Sequence, residues 1–84
     1  MPYIRDDQRG RFDKLLKCSE DIQNAGEANY VLTKILSLYL KRKGQNYQNI
    51  NEVIGILECC KLEYYRRCAA NYEDSKIQEN GDVF

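Results

Sequence analysis

The chain has 84 residues, in which 13 lysines and arginines balance 13 acidic residues, and it has no histidine. This length predicts one small domain, and a net charge of zero argues against a global field that draws nucleic acid or a membrane surface. No apolar run approaches the roughly 20 residues that cross a bilayer, and the single proline favours long helices.

The first predicted helix covers about residues 6–23. Asp6 or Asp7 would begin it, because a carboxylate accepts hydrogen bonds from the N-terminal amides and suits the helix dipole. Gly10 weakens the first turn by roughly 1 kcal/mol, and residues 24–26 are expected to end the helix. The apolar stripe is Phe12, Leu15, Leu16, Cys18 and Ile22.

The second predicted helix covers about residues 27–43. Lys41, Arg42 and Lys43 close it, where cations favour a helix C-terminus, and Gly44 is a typical stop. Its broad apolar face comprises Val31, Leu32, Ile35, Leu36, Tyr39 and Leu40.

The third and longest predicted helix covers about residues 49–69, capped by Asn49 or Asn51. Apolar residues occupy nearly its whole circumference, which indicates burial on more than one side. Two shorter helices cannot cover it fully, so part of it is expected to face another subunit. One side of this helix is formed by residues three or four positions apart: Ile50, Val53, Leu57, Cys60, Tyr64 and Cys68.

The expected contact between subunits lies at or near Ile54, Gly55 and Ile56. Gly55 and Cys59 are small residues four positions apart, which permits close approach of another helix, either between subunits or within the monomer. A polar extension at residues 70–84 completes the chain. The sequence therefore predicts an all-α fold: one small three-helix domain over residues 1–84, with a long central C-terminal helix, that forms a homo-oligomer.

The four cysteines are predicted to be reduced, with at least Cys59 or Cys60 buried in the third helix. No signal peptide is recognisable, which favours a cytoplasmic, reducing location. Because histidine and C-x-x-C spacing are both lacking, the sequence predicts no metal site, and no cofactor motif is present.

Four stretches carry a family resemblance: MPYI, GE-x-NY-x-x-T, IN-x-VIG-x-LE-x-x-K-x-E-x-YRR and YED-x-KI-x-ENGDV followed by an aromatic. Here they are residues 1–4, 26–33, 50–67 and 72–84. The chain resembles a family of uncharacterised short proteins from bacteriophages, prophages and bacteria. The resemblance implies no established activity. It implies a phage or prophage origin, in the cytoplasm of a bacterial host, where small proteins often bind and neutralise host components.

No catalytic set is recognisable, so the sequence predicts a non-enzymatic protein. The candidate ligand-binding residues are Tyr47, Tyr65, Arg66 and Arg67, because tyrosine stacks on rings and arginine grips phosphate in a fork. The alternative is that the arginines pair with Glu63 and with acids of the C-terminal extension.

These patterns suggest two functions. In the first, a homo-oligomeric binding protein sequesters a small anionic, nucleotide-like ligand, such as a host-defence signal. In the second, the helical surface binds a host or phage protein, and the tyrosines and arginines anchor that interface. Neither nucleic acid nor a membrane is an expected partner.

Overall fold

The computed structural model describes all 84 residues, and it is helical with no strand, which confirms the all-α prediction. Its four α-helices are α1 (Asp13–Cys18), α2 (Ala25–Lys43), α3 (Tyr47–Tyr64) and α4 (Ala70–Asn80). A π-helical segment, Tyr65–Ala69, joins α3 to α4, and three 3-10 turns flank α1, at Asp6–Gln8, Gly10–Phe12 and Ser19–Asp21. None of the helices combines the length and the apolar character that a membrane span requires.

The first helix is much shorter than predicted, because its aspartates are engaged elsewhere. Arg5 binds the Asp7 carboxylate through Nη2, with 2.5 Å between nitrogen and Oδ2, so Asp7 does not cap a helix. The turn at Asp6–Gln8 has Arg5 at its cap position, without a side-chain bond. A second turn begins at Gly10, where helix propensity is poor.

Asn24 begins α2, whereas the sequence pattern predicted that it ends the preceding helix. Its Oδ1 accepts a hydrogen bond from the Glu27 amide at 2.9 Å. The Glu27 carboxylate in turn accepts a hydrogen bond from the backbone amide of Gln23 at 2.9 Å. Two backbone amides near the helix start are therefore satisfied by side chains. Gly44, at a φ of 102°, ends α2 as predicted, since few other residues adopt that conformation.

The predicted caps of α3, Asn49 and Asn51, are wrong, because α3 already begins at Tyr47. The Asn46 side-chain oxygen accepts a hydrogen bond from the backbone amide of Asn49 at 2.9 Å. The Asn49 side chain instead donates to the Gly44 carbonyl at 2.8 Å. Asn49 therefore closes the end of α2 and joins it to the first turn of α3.

The predicted polar extension at residues 70–84 is helical as far as Asn80. Alanines 69 and 70 favour the helix, and Lys76 pairs with Glu79 one turn later at 2.9 Å. Gly81, at a φ of 90°, ends α4 and leaves only Gly81–Phe84 without helix.

Two compact units divide the chain, the first Tyr3–Val53 and the second Ile54–Phe84 with Met1 and Pro2. The first holds α1 and α2, and the second holds the π-helical segment and α4. A single domain over residues 1–84 therefore stays a prediction.

No residue of the chain is buried, so the single chain has no closed core. All four cysteines are free, but Cys59 is only half-buried and Cys60 is exposed, so the prediction of a buried thiol fails for the isolated chain. The reason is physical: apolar residues surround α3, and 84 residues do not cover them.

Candidate functional site

The Tyr/Arg cluster, defined as Tyr65, Arg66 and Arg67, lies on the π-helical segment. The Ala70 amide bonds back to the Tyr65 carbonyl, five residues earlier, which is the π-helical pattern. Such segments are rare, and they occur frequently at functional sites. No sequence signal predicted this one.

Arg66 binds Glu63, one turn before it. Its Nη2 donates to both carboxylate oxygens, at 3.0 Å to Oε2 and 3.2 Å to Oε1. The Glu63 side chain is only 25% exposed, whereas Arg66 is 64% exposed. The carboxylate is thus held against the helix, while the arginine remains accessible.

Tyr65 is linked to α4 by a hydrogen bond that the sequence pattern did not predict. Its hydroxyl donates to Glu73 Oε2 at 3.2 Å, across the whole π-helical segment. This hydrogen bond and the negative charge of Glu73 raise the pKa of Tyr65 above its ordinary value, since both disfavour the phenolate.

Arg67 accepts a hydrogen bond through its backbone carbonyl, from Asn71 Nδ2 at 3.0 Å. Tyr47 is exposed at the first position of α3 and belongs to the other compact unit. The structure thus brings Tyr65, Arg66 and Arg67 together on one short segment of the second unit, to which Tyr47 does not belong.

Chemically, the Tyr/Arg cluster combines two cations with a phenol, and both Arg66 and the phenol of Tyr65 are already bonded to a carboxylate. An anionic ligand must displace Glu63 from Arg66 to bind there. No group of three carboxylates or thiols could hold a metal ion.

The predicted contact residues of α3 are accessible in the single chain. Ile54 is 59% exposed and Ile56 is 37% exposed. A Cβ added at Gly55 would meet no atom within 4 Å, so no part of the same chain makes the close approach that a glycine allows.

A second accessible surface is an open apolar groove of about 620 Å³ in the unit of residues 3–53. Residues from α1, the turn after it and α2 line it, with few polar groups on its rim. Its apolar wall includes Leu15, Leu16, Cys18, Ile22, Val31 and Ile35.

Comparison with curated proteins and with solved structures found no match to this chain. A protein-family model described as a domain of unknown function, DUF6899, matches residues 1–83. That match covers nearly the whole chain, which agrees with the resemblance to an uncharacterised family. The chain therefore belongs to the DUF6899 family.

Proposed function

We propose that this protein is a non-enzymatic binding module that works as a homo-oligomer, in which further copies of the chain cover its apolar helical faces. The observation that carries the proposal is the lack of any buried residue in the single chain. Apolar side chains exposed on this scale mark surfaces that bind other proteins.

Large apolar side chains are exposed in both compact units. Leu16 is 61% exposed and Leu38 is 52% exposed in the first unit, and Ile54 is 59% exposed and Leu62 is 55% exposed in the second. Further copies of the chain can cover these side chains.

The partner that fits this surface is a second copy. The net charge is zero, so identical chains do not repel one another at neutral pH. Two-fold symmetric dimers are the commonest closed arrangement of identical chains. Ile54, Gly55 and Ile56, open on α3, supply apolar area and space for such a contact.

Light scattering with size exclusion tests the assembly at protein concentrations of tens of micromolar and below. We expect the mass of a dimer or a higher oligomer, with dissociation on dilution. A monomer that is folded and unchanged over the whole range would overturn the proposal. Assembly only in the presence of another protein would favour the second interpretation, a module for a host or phage protein.

The second candidate function is the binding of a small anionic, nucleotide-like ligand, such as a host-defence signal, at the Tyr/Arg cluster. The specific observation in its favour is the π-helical segment on which the cluster lies. Arg66 is accessible, and a phosphate that displaces the Glu63 carboxylate would meet a guanidinium, which can bind phosphate through two parallel N–H groups. The Tyr65 ring supplies a stacking surface beside it.

A variant of Arg66 tests this second function, using a panel of mono-, di- and cyclic nucleotides in thermal-shift titrations. A ligand that binds the native state stabilises it by RT ln(1 + [L]/Kd), so the melting temperature rises with the logarithm of the ligand concentration once this exceeds Kd. We expect Arg66→Ala to abolish the shift and to change stability little, because exposed ion pairs contribute under about 1 kcal/mol. The control is Arg11→Ala, which removes an arginine distant in sequence. If no nucleotide shifts the wild-type protein, the ligand function fails and the assembly proposal stands.

A further inference from the structure

Helix α2 carries an apolar seam that its own chain covers only in part. Residues at alternating spacings of three and four lie on one side of a helix and form the contact of coiled-coil pairs. In α2, four apolar residues and then one arginine occupy the positions with this spacing. The α2 seam, in order, is Ala28, Val31, Ile35, Leu38 and Arg42.

The second half of the seam differs from the other apolar side of α2, where Leu36, Tyr39 and Leu40 are half-buried. In that second half Leu38 is 52% exposed and Ile35 is 38% exposed. In the first half, the seam residues at the groove are half-buried. The first half of the seam also lines the 620 Å³ groove, so the open apolar surface continues from α2 onto the neighbouring α1.

Opposite charges mark the two ends of this surface. Glu27 lies at the groove in the first turn of α2, and one of its carboxylate oxygens holds the Gln23 amide. Arg42 lies in the last turn, exposed, with no ion-pair partner in its own chain. Arg42 follows Ile35 by seven residues, two turns, so both point in nearly the same direction.

We infer that two copies of the chain pair antiparallel along their α2 seams, so that Arg42 of each copy meets Glu27 of the other. This inference rests on the proposed function and names a surface, in addition to the open stretch of α3, through which copies bind. A parallel pair would set Arg42 against Arg42 and Glu27 against Glu27, and like charges at a contact disfavour that arrangement. The antiparallel pair satisfies both ends at once and places Ile35 near the two-fold axis.

A charge-reversal cycle tests the pairing, with the dimer dissociation constant measured by sedimentation or by dilution light scattering. Glu27 and Arg42 are about 22 Å apart along one helix, so they cannot bind each other within a chain. Any coupling between them in assembly must therefore cross between copies. Two-fold symmetry repeats the pair, so each single reversal creates two repulsive contacts.

We expect Arg42→Glu and Glu27→Lys each to weaken association by about tenfold or more. The double variant should recover to within about threefold of the wild-type dissociation constant, after correction for the hydrogen bond between the Gln23 backbone amide and Glu27. Both proteins that carry Glu27→Lys lack this hydrogen bond, so its effect cancels when the four dissociation constants are compared. Circular dichroism confirms that each variant is folded.

Lys43→Glu is the matched control, because it makes the same change of charge in the same turn but points about 100° away from Arg42 and nearly opposite to Glu27. It should leave association unchanged within about threefold. An equal loss with Lys43→Glu, or a double variant as weak as the product of the two singles, would overturn the antiparallel seam while leaving the homo-oligomer intact. A wild-type protein that is monomeric throughout would overturn the homo-oligomer as well.

Discussion

At the scale of single residues, the bond between Tyr65 and Glu73 is the most specific feature of the second unit. A phenol donates its proton only while it is neutral, so the contact depends on the protonation of Tyr65. The pKa of Tyr65 is raised by the Glu73 hydrogen bond and charge, which means that folding favours the protonated form. The contact therefore contributes stability fully below a pH of about 10, the ordinary tyrosine pKa, and loses it as the pH rises through the higher folded value.

Alkaline titration of tyrosine absorbance checks this sign. The protein has seven tyrosines, so the test subtracts the curve of Tyr65→Phe from that of the wild-type protein. We expect the difference curve, which reports the Tyr65 phenol alone, to titrate above a pH of about 10. Glu73→Gln should lower the pH at which it titrates. Tyr72→Phe, on the neighbouring helix, is the control. A Tyr65 component that titrates at the ordinary value or below would contradict the hydrogen bond.

At the scale of the helices, α3 contains a glycine in its interior that no contact within the chain requires. Gly55 lies in regular helix, and a Cβ there would meet nothing within 4 Å. Glycine in a helix interior costs about 1 kcal/mol relative to alanine. A contact with another chain would explain the residue, because glycine lets a second helix approach closely.

Gly55→Ala separates the two effects. We expect the variant to be at least as helical as the parent, by circular dichroism at low concentration, because alanine is the better helix former by about 1 kcal/mol. We also expect weaker assembly by light scattering, because the new methyl group occupies the space between helices. Ile54→Glu should weaken assembly as well, since it places a charge on the same exposed stretch. Higher helicity with unchanged assembly would place the contact elsewhere on the molecule.

At the scale of the whole molecule, stability and assembly are inseparable in a chain without buried residues. A single core in a domain of this size supplies about 3–5 kcal/mol at best. Partner copies that bind only the native state add stability by mass action, so the melting temperature should rise with protein concentration. Differential scanning calorimetry over a hundredfold range of concentration measures this rise. A constant melting temperature would mean that the chain buries its apolar residues by itself.

Local chemistry alone determined much of the architecture. The apolar periodicity and the single proline predicted an all-α chain, and Lys41 to Lys43 followed by Gly44 predicted the end of α2 correctly. The pairing of Glu63 with an arginine one turn later was also predictable, since it depends only on helical spacing. Asparagines were harder to assign: Asn24 and Asn49 each suit a cap on either side, and only the fold decided which amide or carbonyl they meet.

Only the three-dimensional structure decided the course of the chain beyond Tyr64. The π-helical segment inserts an extra residue into the turn, which no side-chain pattern announces, and Tyr65 reaches Glu73 across it. Its neighbour α4 is helical although its sequence is polar, because alanines and an ion pair support it without a buried face. The lack of burial in the single chain is likewise a property of the fold: periodicity shows which side of a helix is apolar, but only tertiary structure shows whether the chain itself covers that side.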